Sequence, residues 1–318
     1  MHEHQPPETV SVIIPTKNEE EMLESCLISV YSQSLNPEEV IIVDGGSVDS
    51  TLTIAKGFGA KIIREGKFSS PANARNLGVE NSKGSILLIM DADVILHEDC
   101  LKNAVEAFRD EKVIAILPSE QNQDDSYIET IQRKWNEGSR TKVGIGLEGA
   151  KTSGLVGFFK KGVLEKVKFD NRYGFGEDDD FSTKIKKEFS GRDVVIAENC
   201  KVISHSPHTL KEFATRYIWW GRTFFAYLSG HLGVKSVINL SSLLLPVFVF
   251  FAVVLFLLLP HTLPLLFLAS ILFVAQISAI CIRSKSFLFA QFVFFDCARS
   301  IFFIFGLIES LFGKKKGR

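Results

Sequence analysis

Ile86-Leu87-Leu88-Ile89-Met90-Asp91-Ala92-Asp93 is five apolar residues in a row followed by two carboxylates. With no polar alternation, the run predicts a strand covered on both faces, as in a parallel sheet flanked by helices. Asp91 and Asp93 then stand at the carboxyl end of that strand, the edge at which open α/β sheets place ligands. Two carboxylates there suit a hard divalent cation, Mn2+ or Mg2+, which in turn holds a diphosphate. An Asp-x-Asp pair also starts ordinary turns, so the choice rests on the rest of the chain.

Upstream, residues 10–15 predict a first strand that stops at Thr16-Lys17-Asn18-Glu19, and a helix over about residues 20–32 follows. Residues 40–43 predict a second strand, ending in Asp44-Gly45-Gly46-Ser47-Val48-Asp49-Ser50-Thr51, where two glycines allow a sharp turn before a helix over 51–56. A short strand at 61–63 and a helix over 71–81 lead into the stretch quoted above. Strands alternating with helices at this pace imply right-handed crossovers and a mostly parallel sheet, with polar strand ends along one rim. There is no Gly-x-Gly-x-x-Gly and no Gly-Lys-Ser/Thr loop, which excludes a dinucleotide dehydrogenase and a P-loop enzyme. Arg75, inside the 71–81 helix, is either a solvated surface residue or a contact to phosphate or base.

Downstream, residues 113–118 predict another strand and 125–138 a helix. Tyr173-Gly174-Phe175-Gly176-Glu177-Asp178-Asp179-Asp180-Phe181 places four carboxylates in succession. They repel one another, so at least one is expected to have a raised pKa or a nearby cation. The competing explanation is an acid-rich helix N-terminus matched to its dipole. Phe181, Ile185 and Phe189 are the expected buried face of that helix. Two short strands, 194–197 and 201–204, run into His205-Ser206-Pro207-His208, whose histidines are either packing residues or ligands.

The near-neutral total of −1 hides two unlike parts: residues 1–230 carry 28 basic and 35 acidic side chains, residues 231–318 carry 8 and 2. Residues 237–259 hold no charge at all, and residues 263–282 form a second such run. Each is long enough to cross a hydrocarbon core of about 30 Å as a helix. A third apolar stretch, 287–311, contains Asp296, Arg299 and Glu309. Lys235, Arg283 and Lys285 flank the first two runs on one side and their hairpin carries no lysine or arginine, which agrees with a cytoplasmic front part; the basic tail 314–318 opposes that rule if the third stretch crosses, and fits it if that stretch is re-entrant or lies along the surface. The polar N-terminus shows no signal peptide. Five scattered cysteines without Cys-x-x-Cys spacing fit a reducing compartment and argue against a disulfide scaffold. Between the two parts, residues 211–230 align Phe213, Tyr217, Trp220, Phe224 and Leu228 on one stripe, as in a core helix or, with Trp219 and Trp220 beside an apolar run, an interfacial one.

Taken in order, Val12-Ile13-Ile14-Pro15-Thr16-Lys17-Asn18-Glu19, then Asp44-Gly45-Gly46-Ser47 with Asp49 and Thr51, then Ala72, Ala74-Arg75-Asn76 and Gly78, then Met90-Asp91-Ala92-Asp93 closely resembles the family 2 inverting glycosyltransferases of the GT-A fold. The resemblance covers about residues 9–225. It implies an α/β, Rossmann-like nucleotide-diphospho-sugar transferase domain over residues 1–210, followed by an amphipathic interfacial helix (211–235), a transmembrane region of two or three helices (236–312) and a basic tail (313–318). It further implies that Pro15, Thr16, Asn18 and Glu19 line the nucleoside pocket, that Asp44 hydrogen-bonds the base, and that Arg75 reaches base or diphosphate. Asp91 would contact the ribose or the metal and its water, Asp93 would be the direct metal ligand, and His205 would reach metal or diphosphate. Glu177, Asp178 and Asp180 map onto the family's Glu-Asp-x-Asp, with Asp178 as general base and Asp180 on the acceptor side together with Gly154.

The expected activity is transfer of a sugar from a nucleotide-diphosphate donor, with Mn2+ or Mg2+, to a lipid-linked or membrane-proximal acceptor; no nucleic-acid partner is expected. Two rivals are a processive polysaccharide synthase and a non-catalytic nucleotide-sugar-binding protein. The processive pattern Gln-x-x-Arg-Trp is replaced here by Arg216-Tyr217-Ile218-Trp219-Trp220, which weighs against polymer synthesis. The whole reading requires the Asp91/Asp93 pair and the Glu177–Asp180 cluster to converge on one cleft.

Overall fold

The computed structural model describes residues 8–66, 69–121, 156–173, 176–205, 209–230, 268, 270–278 and 289–312. Eight strands form one sheet: β1 (Val10–Thr16), β2 (Glu39–Asp44), β3 (Lys61–Arg64), β4 (Ile86–Ile89), β5 (Val94–Leu96), β6 (Val113–Gln121), β7 (Gly157–Lys160) and β8 (Asp193–Ser204). Their order is β3-β2-β1-β4-β7-β6-β8-β5. The first four run parallel, whereas β7 opposes both β4 and β6, and β5 opposes β8. The sheet is therefore mixed, with the expected parallel half intact.

The unbroken apolar run of β4 has the cause read from the sequence. Ile86 and Leu88 face a core shared with α1 (Leu23–Tyr31), α2 (Thr51–Gly57) and α4 (Cys100–Ala107). Leu87 and Ile89 face a second core shared with α3 (Pro71–Glu80), α5 (Lys161–Lys166) and α6 (Glu177–Glu188). All four residues are fully buried, and a polar side chain at any of them would lack a partner. Phe181 and Ile185 of α6 are buried as predicted, with Phe189 half-buried against them. Helix α3 starts where its sequence says it should: Ser70 caps Asn73 N–H at 3.1 Å and Pro71 occupies the first turn.

Three local features differ from the sequence reading. Residues 193–204 are one strand, not two, with a register shift against β6 between Pro118 and Ser119; Pro118 has no N–H to offer the ladder. Strand β5 and helix α4 were not foreseen, because three residues are too few to show a period. Cys100 and Cys200, 100 positions apart, form a disulfide joining α4 to β8, a pairing that only the packing of those two elements creates. The predicted helix over 125–138, the first apolar run (237–259) and the basic tail lie outside the described residues.

After the sheet come α7 (Leu210–Gly230) and α8 (Phe289–Phe312). Phe213, Tyr217 and Phe224 of the predicted stripe are buried, and they meet Phe302, Phe303 and Ile277 rather than facing outward. The helices approach so closely that a Cβ on Gly306 would lie 1.9 Å from the Ile218 carbonyl oxygen. Among the described residues no helix is long and apolar enough to cross a membrane.

Gly78 fixes how closely α3 sits on the sheet, since a Cβ there would stand 2.2 Å from Ile13 Cγ2 in β1. Gly78→Ala is expected to lower stability by up to about 2 kcal/mol net, overpacking of about 1–3 kcal/mol outweighing the roughly 1 kcal/mol of helix propensity that alanine adds. Chemical denaturation checks this, and an unchanged or higher midpoint would show that the helix has room to move.

Candidate active site

The rim of the sheet is a set of loops locked to one another. Pro15 and Thr16 end β1 in register with Val43 and Asp44 of β2, and the Gly45 N–H donates to the Thr16 carbonyl at 2.8 Å. Beyond them the two chains interlock. Asn18, in left-handed backbone at φ 57°, donates its N–H to Ser47 Oγ (2.9 Å), while its side-chain oxygen accepts from Val48 N–H (2.9 Å). Glu19 N–H donates to Thr51 Oγ1 at 2.8 Å. Asp44 is buried, and its two oxygens accept from the N–H groups of Gly46 (3.2 Å) and Ser47 (3.0 Å). It therefore shapes the Asp-Gly-Gly-Ser turn from within. At Gly45 a Cβ would come within 2.6 Å of Ser69 Oγ, so a larger residue would displace that hydroxyl.

Asp91 and Asp93 follow β4 on the same rim, both partly buried. Strand β5 pairs with the end of β8, and one residue past that ladder the His205 N–H donates to the Asp93 carbonyl at 3.0 Å. His205, left between two readings by the sequence, is thus set beside Asp93. Burial first, then the fields of Asp93, Asp91 and Glu19, push the buried Cys26 thiol far up, so three carboxylates gather over one point of α1.

Arg75 joins this group to the acidic cluster. Its Nη1 donates to Glu177 Oε1 at 2.9 Å and its Nη2 to Asp91 Oδ1 at 3.2 Å, with the side chain 4% exposed. The guanidinium also lies over the Phe169 ring, 5.5 Å from its centroid, and its Nε is buried with no hydrogen-bond partner among the described residues. Phe169 stacks on Phe181 of α6 at 3.9 Å, and Asn76 holds the backbone of Phe169 from both sides, Nδ2 to the carbonyl and Oδ1 from the N–H. Sequence reasoning missed Phe169 and Asn76, although Asn76 stands inside the motif that contains Arg75.

Burial opposes the charge on Arg75, but Asp91, Glu177 and Asp178 outweigh it and hold the guanidinium firmly protonated. Glu177 goes the other way for a carboxylate in an ion pair. Burial raises its pKa, and the relief from Arg75 is offset by neighbouring Asp178. One cation shared between two carboxylates cannot fully neutralise either. The raised pKa of Glu177 thus has burial as its first cause, with the neighbouring Asp178 carboxylate adding to it.

The remaining members divide. Asp178 is exposed, one residue into α6, while Gly176 before it takes φ 78°, which turns the chain into the helix. Asp180 points into the chain, 7% exposed, with Lys184 Nζ 2.5 Å from its Oδ2; that lysine also reaches Asp170 at 3.8 Å. Gly154 and His208 lie outside the described residues. Gly157 is on β7, where a Cβ would meet the Phe159 ring at 2.9 Å, so packing within the chain already accounts for it.

Asp91 and Asp93 offer carboxylate oxygens suited to Mn2+ or Mg2+, and His205 meets Asp93 through the backbone. Among the described residues no group of three or more acidic, histidine or cysteine side chains is placed to hold a metal ion. A cation at this rim would rest on one or two carboxylates and complete its shell with water and substrate phosphate.

Arg75→Met leaves Glu177 buried without its cation and is expected to cost roughly 3 kcal/mol, the low end for a broken buried pair because Asp91 is partly open to water. The penalty comes from an ionised Glu177 whose folded pKa is raised. It is therefore present near neutral pH, shrinks as pH falls through the raised folded value, and is gone only well below about 4, where the carboxyl is protonated in both states. Denaturation of both proteins across that range checks the size and the sign.

Residues 11–164 match the family model described as glycosyl transferase family 2. A glycosyltransferase of Haloferax volcanii is 40% identical over 103 residues, 30% of this chain and 34% of that protein. A PGL/p-HBAD biosynthesis glycosyltransferase of Mycobacterium bovis is 38% identical over 103 residues, 31% of this chain and 40% of that protein. The chain thus spans less than half the length of these curated relatives. Among solved structures, a mannosyltransferase from Pyrobaculum calidifontis in complex with GDP-Man and Mn2+ aligns over 98% of this chain and 89% of its own, at 18% identity and a TM-score of 0.57. Glucosyl-3-phosphoglycerate synthase from Mycobacterium tuberculosis, in complex with Mn2+, UDP and glucosyl-3-phosphoglycerate, covers 70% of this chain and 79% of its own, at 19% identity and a TM-score of 0.51. With the motifs, the mixed sheet and these likenesses together, residues 11–164 are a glycosyl transferase family 2 domain on a GT-A-like fold.

Proposed function

We propose that the chain is an inverting glycosyltransferase that moves one sugar from a nucleotide-diphosphate donor to a lipid-linked or membrane-proximal acceptor. The observation that carries the reading is the Arg75 bridge, which brings Asp91 of the rim and Glu177 of the acidic cluster to a single guanidinium. Pro15, Thr16, Asn18, Glu19 and the Asp44 turn form the nucleoside side. Asp93, Asp91 and His205 would hold Mn2+ or Mg2+, which when bound stabilises negative charge on the leaving diphosphate. Asp178, exposed at the head of α6, takes the proton of the acceptor hydroxyl as its oxygen attacks the anomeric carbon from the face opposite the diphosphate. Glu177 orients that helix end through Arg75, and Lys184, paired with Asp180 on the same helix, ties it to Asp170.

Membrane association is supported by the uncharged run 237–259 and by the outward face of the helical layer, where Leu268, Ile271, Leu272, Val274, Ile301, Phe305 and Ile308 are all exposed. The cytoplasmic placement of the catalytic domain rests on Lys235, Arg283 and Lys285 flanking the apolar runs. The Cys100–Cys200 disulfide belongs more readily to an oxidising compartment, so that placement draws on the charge pattern alone.

Asp178→Asn is expected to abolish transfer while donor binding in calorimetry is retained; equal loss of both would remove Asp178 from the role of base. Asp93→Ala is expected to abolish activity together with its dependence on Mn2+ or Mg2+, and full wild-type activity in excess chelator would refute a metal role. A non-catalytic binding protein is distinguished by the absence of any donor turnover with metal present, and a processive synthase by long products on a gel.

A further inference from the structure

We infer that Arg75 is a positioning residue that couples loading of the donor site to the placement of the acceptor-side helix α6, rather than a ligand of the donor itself. The inference rests on the proposed function and goes beyond it in assigning a route between the two halves of the site. Both terminal nitrogens of the guanidinium are already engaged inside the chain, one with each half. Its planar fork gives that double contact a fixed geometry, which a lysine ammonium cannot reproduce. The rest of its surroundings belong to the acceptor side. Phe169 beneath it stacks on Phe181 of α6, and Asn76, one position along α3, clamps the Phe169 backbone.

The direction of the effect follows from sharing one positive group between two negative ones. When a cation and a diphosphate occupy the rim, they draw on the Asp91 carboxylate, whose Oδ1 Arg75 now holds. The guanidinium is then drawn toward Glu177, its other partner, and the first turn of α6, where Asp178 stands, is held more tightly. Donor loading thus readies the end of the helix that meets the acceptor. This is a coupling between two sites through a residue bonded to both.

Hydrogen exchange on the full-length protein tests it, with Mn2+ plus UDP and, separately, Mn2+ plus GDP as probes. In the wild type, exchange is expected to slow at residues 91–96 and also across Glu177–Glu188, the latter by at least about fivefold, the low end of typical site-to-site coupling. In Arg75→Lys the slowing at 91–96 is expected to remain and that across the helix to disappear. Glu177→Ala, which breaks the bridge from the other side, is expected to do the same and decides the matter alone if Arg75→Lys does not fold. Equal slowing of the helix in the variants overturns the coupling. So does a wild type that responds only at 91–96. Loss of both responses in Arg75→Lys instead assigns the guanidinium to the ligand. No response anywhere in the wild type with either nucleotide overturns the donor-site reading beneath the inference, a result separable from the others.

Discussion

A single arginine, buried in a helix that otherwise packs on the sheet, holds this site together. Leaving a guanidinium at 4% exposure is costly unless each ionised partner is close and well aligned, and here two carboxylates from distant parts of the chain supply that. The constraint works in both directions. Asp91 and Glu177 lie 86 positions apart and would repel each other across the cleft, so the cation between them is what allows both to be there. A buried pair of this kind is weak evidence for stability and better evidence for geometry, since hydrophobic residues of similar size would fill the space without specifying which acids face each other.

For Arg75 to reach both partners, α3 must lie at the right height over the sheet and the 169–171 loop must lie against it. Gly78 sets the first, letting the helix rest on Ile13 without a side chain between them. Asn76 sets the second, taking the place of a backbone partner for Phe169, and Asn171 Nδ2 donates on to Asn73 Oδ1 at 3.3 Å. The motif Ala-Asn-Ala-Arg-Asn-Leu-Gly-Val is thus three pieces of one device. Small residues seat the helix, amides seat the loop, and the arginine joins what the two bring within reach.

Much of this was legible in the letters. The unbroken apolar run of β4 announced a strand with helices on both faces, and the acids after it announced the functional rim, because both are local consequences of pattern. The parallel strands followed from the strand–helix rhythm. What stayed hidden depends on meetings between segments far apart in sequence. Arg75 stood undecided between solvent and ligand because neither of its partners is near it in the chain. The pairing of Asp180 with Lys184 one turn along its own helix, and of that lysine with Asp170, likewise depends on how the helix is set against the 169–171 loop. The strand reversals at β7 and β5 and the Cys100–Cys200 bond leave no mark in composition or spacing at all.

The helical layer shows the same logic applied to charge. Asp296, Arg299 and Glu309 made the third apolar stretch hard to reconcile with apolar surroundings. Their placement removes that objection. Asp296 is fully buried, paired with Arg299 at 2.5 Å, and accepts from Gln276 Nε2 at 3.1 Å, while Glu309 takes Arg222 of α7 at 2.6 Å. Each acid is matched within the layer, two of the links crossing between helices. What remains on the outside of α8 is Ile301, Phe305 and Ile308, four and three residues apart on one face and each at least half exposed. Asp296 and Arg299 are turned inward, whereas the Arg222–Glu309 pair stays at the surface beside this apolar stripe.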